Sequence, residues 1–300
     1  MGIVNVPNRE EPELTQDKCI RAARQIAEGA HRLGINLARC HALERMRLDA
    51  QWLSDMAPQA FAHGGTTDRE RDRYMRASIR MEQALRLGEA LSMAGNIQYV
   101  EEFRRFLTDM IDRLGVEGRP GRVPQGINQQ ALDHLLEFEV AARIARHGHA
   151  VSAREPDVLV RYTNGGELGI AVKRPRRVQG VDALINEGRR QIIECRERGL
   201  ILVGMEAIFH GTDRIRIAAA PTEEQGRAEG ARLIGEAIAA ADEAMERAFG
   251  DGVVAVLFFG AFCFTLAETF HGVVLARGAW NAGAVRAEAE LERLKECLVP

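Results

Sequence analysis

The amino-acid sequence predicts an α/β protein, with a helical N-terminal region followed by a mixed β-sheet flanked by helices. In the first third of the chain, apolar residues recur at helical spacing, and no strand-like alternation interrupts them. From residue 129 the pattern changes to a helix, three short strands, a second helix and another strand. Residues 115–128, between the two patterns, contain four glycines and two prolines, which is typical of a linker. We therefore predict a helical region over residues 1–117, a linker over 118–128 and an α/β domain over 129–300.

The helices of the N-terminal region are predicted from stripes of apolar side chains. In residues 14–33 the stripe consists of Ile20, Ala23, Ile26, Ala27 and Ala30. Stretches of similar character follow at residues 37–56, 68–94 and 100–114. We expect them to form a bundle of about four helices.

The elements of the second region follow from periodicity and turn signals. The first helix covers residues 129–147 and ends at Gly148, because glycine is favoured directly after a helix. Three strands follow at 149–154, 157–162 and 167–173, and the glycines and asparagine of residues 163–166 predict a hairpin turn. Beyond them we predict a helix at 181–197, strands at 199–209 and 214–218, a helix at 223–249, strands from 252 and at 272–276, and a helix at 285–298.

Composition and charge exclude several classes of protein. The net charge is −3, so a nucleic-acid-binding surface must be local. The five cysteines are scattered, odd in number and without a Cys-x-x-Cys pair, which favours a reducing compartment and argues against a structural zinc site. The longest apolar run, residues 252–267, has 16 residues, fewer than the roughly 20 that a membrane-spanning helix needs. We therefore expect a cytoplasmic protein with no membrane association.

The same apolar run is rich in strand-forming residues and predicts a buried strand. Such a strand suits either the core of the molecule or the seam of a homodimer, and the sequence leaves both open.

An aspartate and a lysine at the ends of two paired strands are the candidate site. Asp157 follows Pro156 at the start of one strand, and Lys173 closes the next. With a turn centred near residue 165, the two positions are mirror-related across the hairpin, so we expect both side chains on one face. Glu167 shares that face but lies six residues from Lys173, too far to join the site. A carboxylate beside an ammonium group suits a divalent cation and a scissile phosphate, as phosphodiester hydrolysis requires.

The order of these elements resembles the PD-(D/E)XK nuclease superfamily, which has the restriction-endonuclease-like fold. The resemblance covers about residues 129–209, and its pieces are Phe138-Glu139, Pro156-Asp157, Ile170-Ala171-Val172-Lys173 and Gln191. It implies a nuclease that uses Mg²⁺ (or Mn²⁺), with Asp157 and Glu139 binding the metal and Lys173 orienting the attacking water. Gln191 would support the site.

Ala171 departs from the family motif, because it occupies the place of the second carboxylate. A subset of the superfamily has a small residue there and a glutamate on the following helix, and Glu187 has this spacing. The resemblance then implies that Glu187 is the second metal ligand, with Gln191 one turn later on the same helix face. The alternative is a catalytically inactive protein of the same fold that binds nucleic acid or a protein partner.

Arginines beside the candidate site predict a surface for nucleic acid. Arg174, Arg176 and Arg177 follow Lys173 directly, and Arg189 and Arg190 lie on the next helix. Guanidinium groups in such a position suit a phosphate backbone. We expect the partner to be a nucleic acid, and DNA is favoured over RNA.

Each of these residues also has an ordinary structural interpretation. Asp157 is consistent with a plain turn residue, and Lys173 with the polar end of a buried strand. Glu139, Glu187, Gln191 and the arginines are equally consistent with solvated helix and loop surfaces. We adopt the functional interpretation, because Asp157, Lys173 and Glu187 occur together.

Overall fold

The structure is a computed structural model. It describes residues 2–5, 16–36, 41–60, 88, 92, 129–154, 156–161, 166–195, 198–211, 218–266 and 269–280. The predicted linker at 118–128 and the helices predicted at 100–114 and 285–298 lie outside the described residues. So does most of the helix predicted at 68–94, of which Gly88 and Ser92 are described and helical.

Two helices of the N-terminal region are confirmed. α1 spans Gln16–Arg32 and α2 spans His41–Ala60; the two pack together, and both bury apolar side chains such as Ile26 and Leu53. A strand that we did not predict, β1 (Gly2–Asn5), precedes these helices and pairs antiparallel with the last strand of the sheet. The β-branched residues in β1 favour an extended chain, and the edge of that last strand offers backbone hydrogen bonds.

A mixed sheet forms the centre of the second region, as predicted. After β1, its strands are β2 (Ala150–Arg154), β3 (Asp157–Arg161), β4 (Glu167–Lys173), β5 (Gly199–Gly204), β6 (Ala218–Ala220), β7 (Val253–Leu266) and β8 (Thr269–Trp280). The six main strands have the spatial order β8-β7-β5-β4-β3-β2, with β1 beside β8 and the short β6 beside the C-terminal end of β7. The pairs β4–β5 and β5–β7 are parallel, whereas β2–β3, β3–β4 and β7–β8 are antiparallel.

Helices flank this sheet. Those described are α3 (Gln129–Arg146), α4 (Val181–Glu194), α5 (Glu206–His210), α6 (Glu223–Ala240) and α7 (Asp242–Gly250). After α3, Gly148 has φ +86°, a conformation that glycine adopts without strain, so the predicted end of this helix is confirmed. At the start of α6, the Thr222 hydroxyl accepts a hydrogen bond from Gln225 N at 3.2 Å and satisfies one of the helix's first N–H groups.

Three predicted boundaries differ from the structure. The strand predicted at 199–209 ends at Gly204, because Met205 N bonds to Phe259 O and the chain then turns into α5. α5 fits there because Gly260 of β7 has no side chain to meet Met205 and Phe209. The helix predicted at 223–249 is divided at Ala241, and the short strand predicted at 272–276 belongs to the twelve-residue β8.

The apolar strand β7 belongs to the core. It pairs with β5 on one side and with β8 on the other, and its residues from Val253 to Phe259 are buried. Among the helices that the structure describes, none is long and apolar enough to cross a membrane.

α3 and α4 lie on opposite faces of the sheet. On β5, Ile201 lies against Gly188 of α4, whereas Gly204 lies against Leu136 of α3. Because successive residues of a strand point to opposite faces, positions 201 and 204 face different layers. The edge where β4 and β5 end is therefore bordered by both helices.

Glycines on α6 let this helix approach the aromatic side chains of β7. A Cβ atom at Gly226 would lie 2.5 Å from two ring carbons of Phe264, whose ring stacks on that of Phe262. At Gly235 on the same helix, the nearest atom to such a Cβ would be Nη1 of Arg277 at 3.9 Å.

This difference predicts opposite effects of one substitution at two sites on α6. Gly226→Ala should lower the free energy of unfolding, because forcing extra volume into a packed core costs about 1–3 kcal/mol. Gly235→Ala should raise it by about 0.5–1 kcal/mol, because alanine is the better helix former. Denaturant unfolding of the two variants measures both values, and equal effects at the two sites would contradict the packing described here.

Candidate active site

The ammonium group of Lys173 lies between two carboxylates. Its Nζ is 3.5 Å from Oδ2 of Asp157 on β3 and 3.3 Å from Oε1 of Glu187 on α4. The side chain of Lys173 is 8% exposed and that of Asp157 is 13% exposed, whereas that of Glu187 is 45% exposed. The part of the cluster formed by Lys173 and Asp157 is therefore buried, and the side formed by Glu187 is open to solvent.

Asp157 is fixed to the neighbouring strand by a hydrogen bond. Val172 N donates to Asp157 Oδ2 at 2.7 Å, so the oxygen that meets Lys173 is also held by the backbone of β4. A bond from an N–H group to a charged carboxylate stabilises a fold by roughly 1.5–3 kcal/mol.

The predicted pairing of Asp157 opposite Lys173 is wrong by two residues. Val158 pairs with Ile170 and Arg161 with Glu167, so the hairpin is centred on residue 164. Continuing this register places Asp157 opposite Ala171, with Lys173 two residues further along the same face. The two side chains meet diagonally across the strands, which long side chains can do.

Ala171 is buried under α4, where it lies against Gly188 of this helix. A Cβ atom on Gly188 would lie 3.2 Å from Cβ of Ala171 and 3.4 Å from two side-chain carbons of Ile201. A larger residue at position 171 would push the helix outward. Since Glu187 directly precedes Gly188, the small side chain at 171 is what allows the Glu187 carboxylate to reach Lys173.

The other two predicted site residues, Gln191 and Glu139, lie on α4 and α3. Gln191 lies one turn after Glu187 on α4, and its amide oxygen is buried. Glu139 is also buried, and its Oε1 lies 2.8 Å from Nη2 of Arg143 on the same helix. At about 100° per residue, Glu139 is roughly 140° around α3 from His134.

His134 belongs to a set of polar residues on α3 that the sequence reasoning missed. Asp133, His134 and Glu137 share one side of the helix; His134 Nδ1 lies 3.2 Å from Glu137 Oε2, and Asp133 Oδ1 lies 3.7 Å from Nη1 of Arg174. The hydrogen bond to Glu137 raises the pKa of His134, and the charges of Glu137, Asp133 and Asp157 act in the same direction. The sequence contained a signal for this set. Asp133, His134 and Glu137 are spaced by one and three residues, so a helical wheel of residues 129–147 places them on one side of the helix.

Arg174 forms a second buried charge cluster. Its side chain is 7% exposed and pairs with Asp133, and the buried Glu206 of α5 is close enough for its charge to act on Arg174. Burial raises the pKa of Asp133, against the opposing effect of Arg174 and Arg176, and it lowers the pKa of Arg174. These contacts give Arg174 a structural role, whereas its predicted contact with nucleic acid stays a prediction.

The remaining arginines of the predicted surface differ in exposure. Arg176 and Arg177, after the end of β4, are exposed, and so is Arg190 on α4. Arg189 forms an ion pair with Asp251, which ties α4 to the turn before β7. Three of the five predicted arginines therefore present exposed guanidinium groups.

The donor set of the cluster suits a hard cation. Among the residues that the structure describes, no three His, Cys, Asp or Glu side chains are grouped closely enough to hold a metal ion by themselves. Mg²⁺, however, commonly uses one or two carboxylates and keeps several waters. Asp157 and the more exposed Glu187, both in contact with Lys173, provide such a pair.

No protein-family model, no curated protein and no solved structure matches the chain. The resemblance to the PD-(D/E)XK superfamily therefore rests on the residues given above and stays a prediction.

Restoring the carboxylate of the family motif at position 171 should destabilise the fold. We expect Ala171→Asp to lower the free energy of unfolding by at least about 2 kcal/mol, because it places a charge in a closed space beneath Gly188. Ala171→Ser, which adds one atom, should cost less. Thermal and denaturant unfolding test this, and an Ala171→Asp variant as stable as the wild type would contradict the close approach of α4.

Arg174 and Arg177 should differ in their importance for stability. Arg174→Met removes the cation beside the buried Glu206 and the half-exposed Asp133, so it should lower the free energy of unfolding by about 1–3 kcal/mol, because it leaves a buried polar group without its charge partner. Arg177→Met, the matched change at an exposed position, should alter the free energy of unfolding no more than an ordinary surface substitution does. Urea unfolding of the two variants compares them, and equal stabilities would refute the structural role of Arg174.

Proposed function

We propose that this protein is a metal-dependent nuclease that hydrolyses phosphodiester bonds, with DNA favoured over RNA as its substrate. The observation that carries the proposal is the contact of Lys173 with both Asp157 and Glu187 at the edge where β4 ends. Three ionisable groups converge here from β3, β4 and α4. The cluster has the residue types that the PD-(D/E)XK resemblance implies, with Glu187 standing in for the carboxylate absent at Ala171.

Asp157 and Glu187 are the residues that would hold Mg²⁺ or Mn²⁺. The exposed side of Glu187 leaves room for water and a phosphate, as a cation with several water ligands requires. When bound, such a cation neutralises phosphate charge and makes a bound water more acidic.

The chain's own groups have distinct tasks in this proposal. The bond from Val172 N holds the Asp157 carboxylate in one orientation before the substrate arrives. Lys173, fixed between two carboxylates, supplies a positive charge that orients the attacking water and stabilises the charge that develops on the phosphate. Glu187 reaches this point because Ala171 and Gly188 let α4 approach.

The exposed arginines beside this cluster suit the backbone of a nucleic acid. Arg176 and Arg177 lie just after the end of β4. Arg190 lies about one turn after Glu187 on α4. Neutralising phosphates in this way makes binding depend strongly on salt, so the affinity should fall as the salt concentration rises.

The decisive test is cleavage of supercoiled, linear and single-stranded DNA and of RNA, with Mg²⁺ or Mn²⁺. We expect the wild type to cleave at least one substrate, and Asp157→Asn, Lys173→Met and Glu187→Gln each to lower the rate by about 10²-fold or more. Glu194→Gln is the matched control, because Glu194 is an exposed glutamate on the same helix. Circular dichroism and thermal melts confirm that each variant is folded.

The outcomes separate the proposal from its rival. Cleavage that survives Glu187→Gln but not Asp157→Asn keeps the nuclease and removes the role of Glu187. A wild type that cleaves none of the substrates contradicts the nuclease. Salt-dependent binding without cleavage would then favour the inactive nucleic-acid-binding protein, which the buried Ala171 in the motif position also suits.

A further inference from the structure

We infer that His134 is a further catalytic residue of this site, the general acid that protonates the leaving oxygen, and that Glu137 orients it. This inference rests on the proposed nuclease activity. The residues that the family resemblance implies include metal ligands and a lysine for the attacking water, but none of them donates a proton to the departing strand.

The position of His134 follows from its neighbour in the chain. Asp133 Oδ1 lies 3.7 Å from Nη1 of Arg174, and Arg174 directly follows Lys173. This contact brings the first half of α3 to the end of β4, where the ammonium of Lys173 meets Asp157 and Glu187. His134, the next residue of α3, therefore reaches this edge from the opposite side of the sheet to α4, and it is close enough for the charge of Asp157 to act on its ring.

The orientation of His134 follows from Glu137, one turn later on α3. The Nδ1···Oε2 distance of 3.2 Å fits a hydrogen bond in which a protonated Nδ1 donates to the carboxylate. Both side chains are partly buried, with 25% of His134 and 17% of Glu137 exposed, so the pair is held by its surroundings but remains accessible to a substrate. A carboxylate that fixes an imidazole in this way selects the ring orientation and stabilises the imidazolium ion.

The charges around His134 favour its protonated form. Glu137 and Asp133 act from α3 and Asp157 from β3, and together they raise the pKa of the imidazole. Burial of the imidazole opposes this rise in its pKa. A general acid must carry a proton when the leaving oxygen departs, and the raised pKa of His134 favours this protonated form.

The proton balance of the step is simple. Water attacks phosphorus, forms the new P–O bond and releases one proton to solvent, while the bond from phosphorus to the bridging ester oxygen breaks. The proton on Nε2 of the His134 imidazolium passes to that departing oxygen, which leaves as an alcohol. The neutral imidazole then regains a proton from solvent, and no oxidant or reductant is needed.

A substrate with a better leaving group tests this role directly. After the cleavage position is mapped, an oligonucleotide with sulfur in place of the departing bridging oxygen is compared with the normal oligonucleotide in single-turnover reactions. A thiolate leaves without protonation, so general acid catalysis of its departure is unnecessary. We expect His134→Gln to slow cleavage of the oxygen substrate by about 10²-fold and to keep the rate on the sulfur substrate within a few-fold of the wild type.

Two further variants complete the experiment. Glu137→Gln should show the same dependence on the leaving group with a smaller loss, as expected for a positioning residue. His147→Gln, at the exposed histidine just after α3, is the matched control and should cleave both substrates like the wild type.

Other results would overturn the inference. A His134→Gln variant that slows both substrates equally indicates a structural role, and one that slows neither shows that His134 takes no part. If the wild type cleaves neither substrate, the proposed nuclease fails and this inference fails with it. If Lys173→Met abolishes cleavage while His134→Gln behaves like the wild type, the nuclease stands and only the general acid is refuted.

Discussion

The close approach of α4 to β4 is the constraint on which the candidate site depends. Cβ of Ala171 lies directly below Gly188, and this contact sets how near Glu187 comes to the end of β4. Lys173 is almost completely buried at that end, and a buried ammonium group is tolerated only when it is paired. Asp157 from the hairpin and Glu187 from the helix provide the pairing. The departure from the family motif at position 171 and the presence of Glu187 are thus two parts of one packing arrangement.

Buried charges at this edge of the sheet form two clusters, and each ties different elements together. Lys173 joins β3, β4 and α4, whereas Arg174, the next residue, turns toward Asp133 of α3 and interacts with Glu206 of α5. Successive residues at the end of a strand point to opposite faces, so adjacent cations serve helices on opposite sides of the sheet. His134 follows Asp133, which contacts Arg174, and the charge of Asp157 acts on its ring.

The sequence predicted the central elements of the second region closely. The helix before the hairpin, the three strands β2–β4 and the start of α4 have the predicted order, and β4 has the predicted bounds, because strong apolar patterns and a glycine-rich turn mark them. The hairpin register was wrong by two residues for a physical reason. Moving the turn centre by one residue shifts the pairing by two, which leaves every side chain on its original face. The apolar pattern therefore fits a turn centred on 164 as well as one centred on 165. The structure has the former, with Arg161 paired to Glu167 across the hairpin.

The sequence by itself determined the succession of helices and strands and the face of β4 that carries Lys173, because both follow from local periodicity along the chain. Only the tertiary structure decided which charges meet. Glu187 contacts Lys173, and Arg174 is buried against Asp133. These partners depend on the distance between helix and sheet and on the rotation of each helix about its axis. Both are set by how side chains such as Ala171, Ile201 and Leu136 pack against glycines on the facing elements.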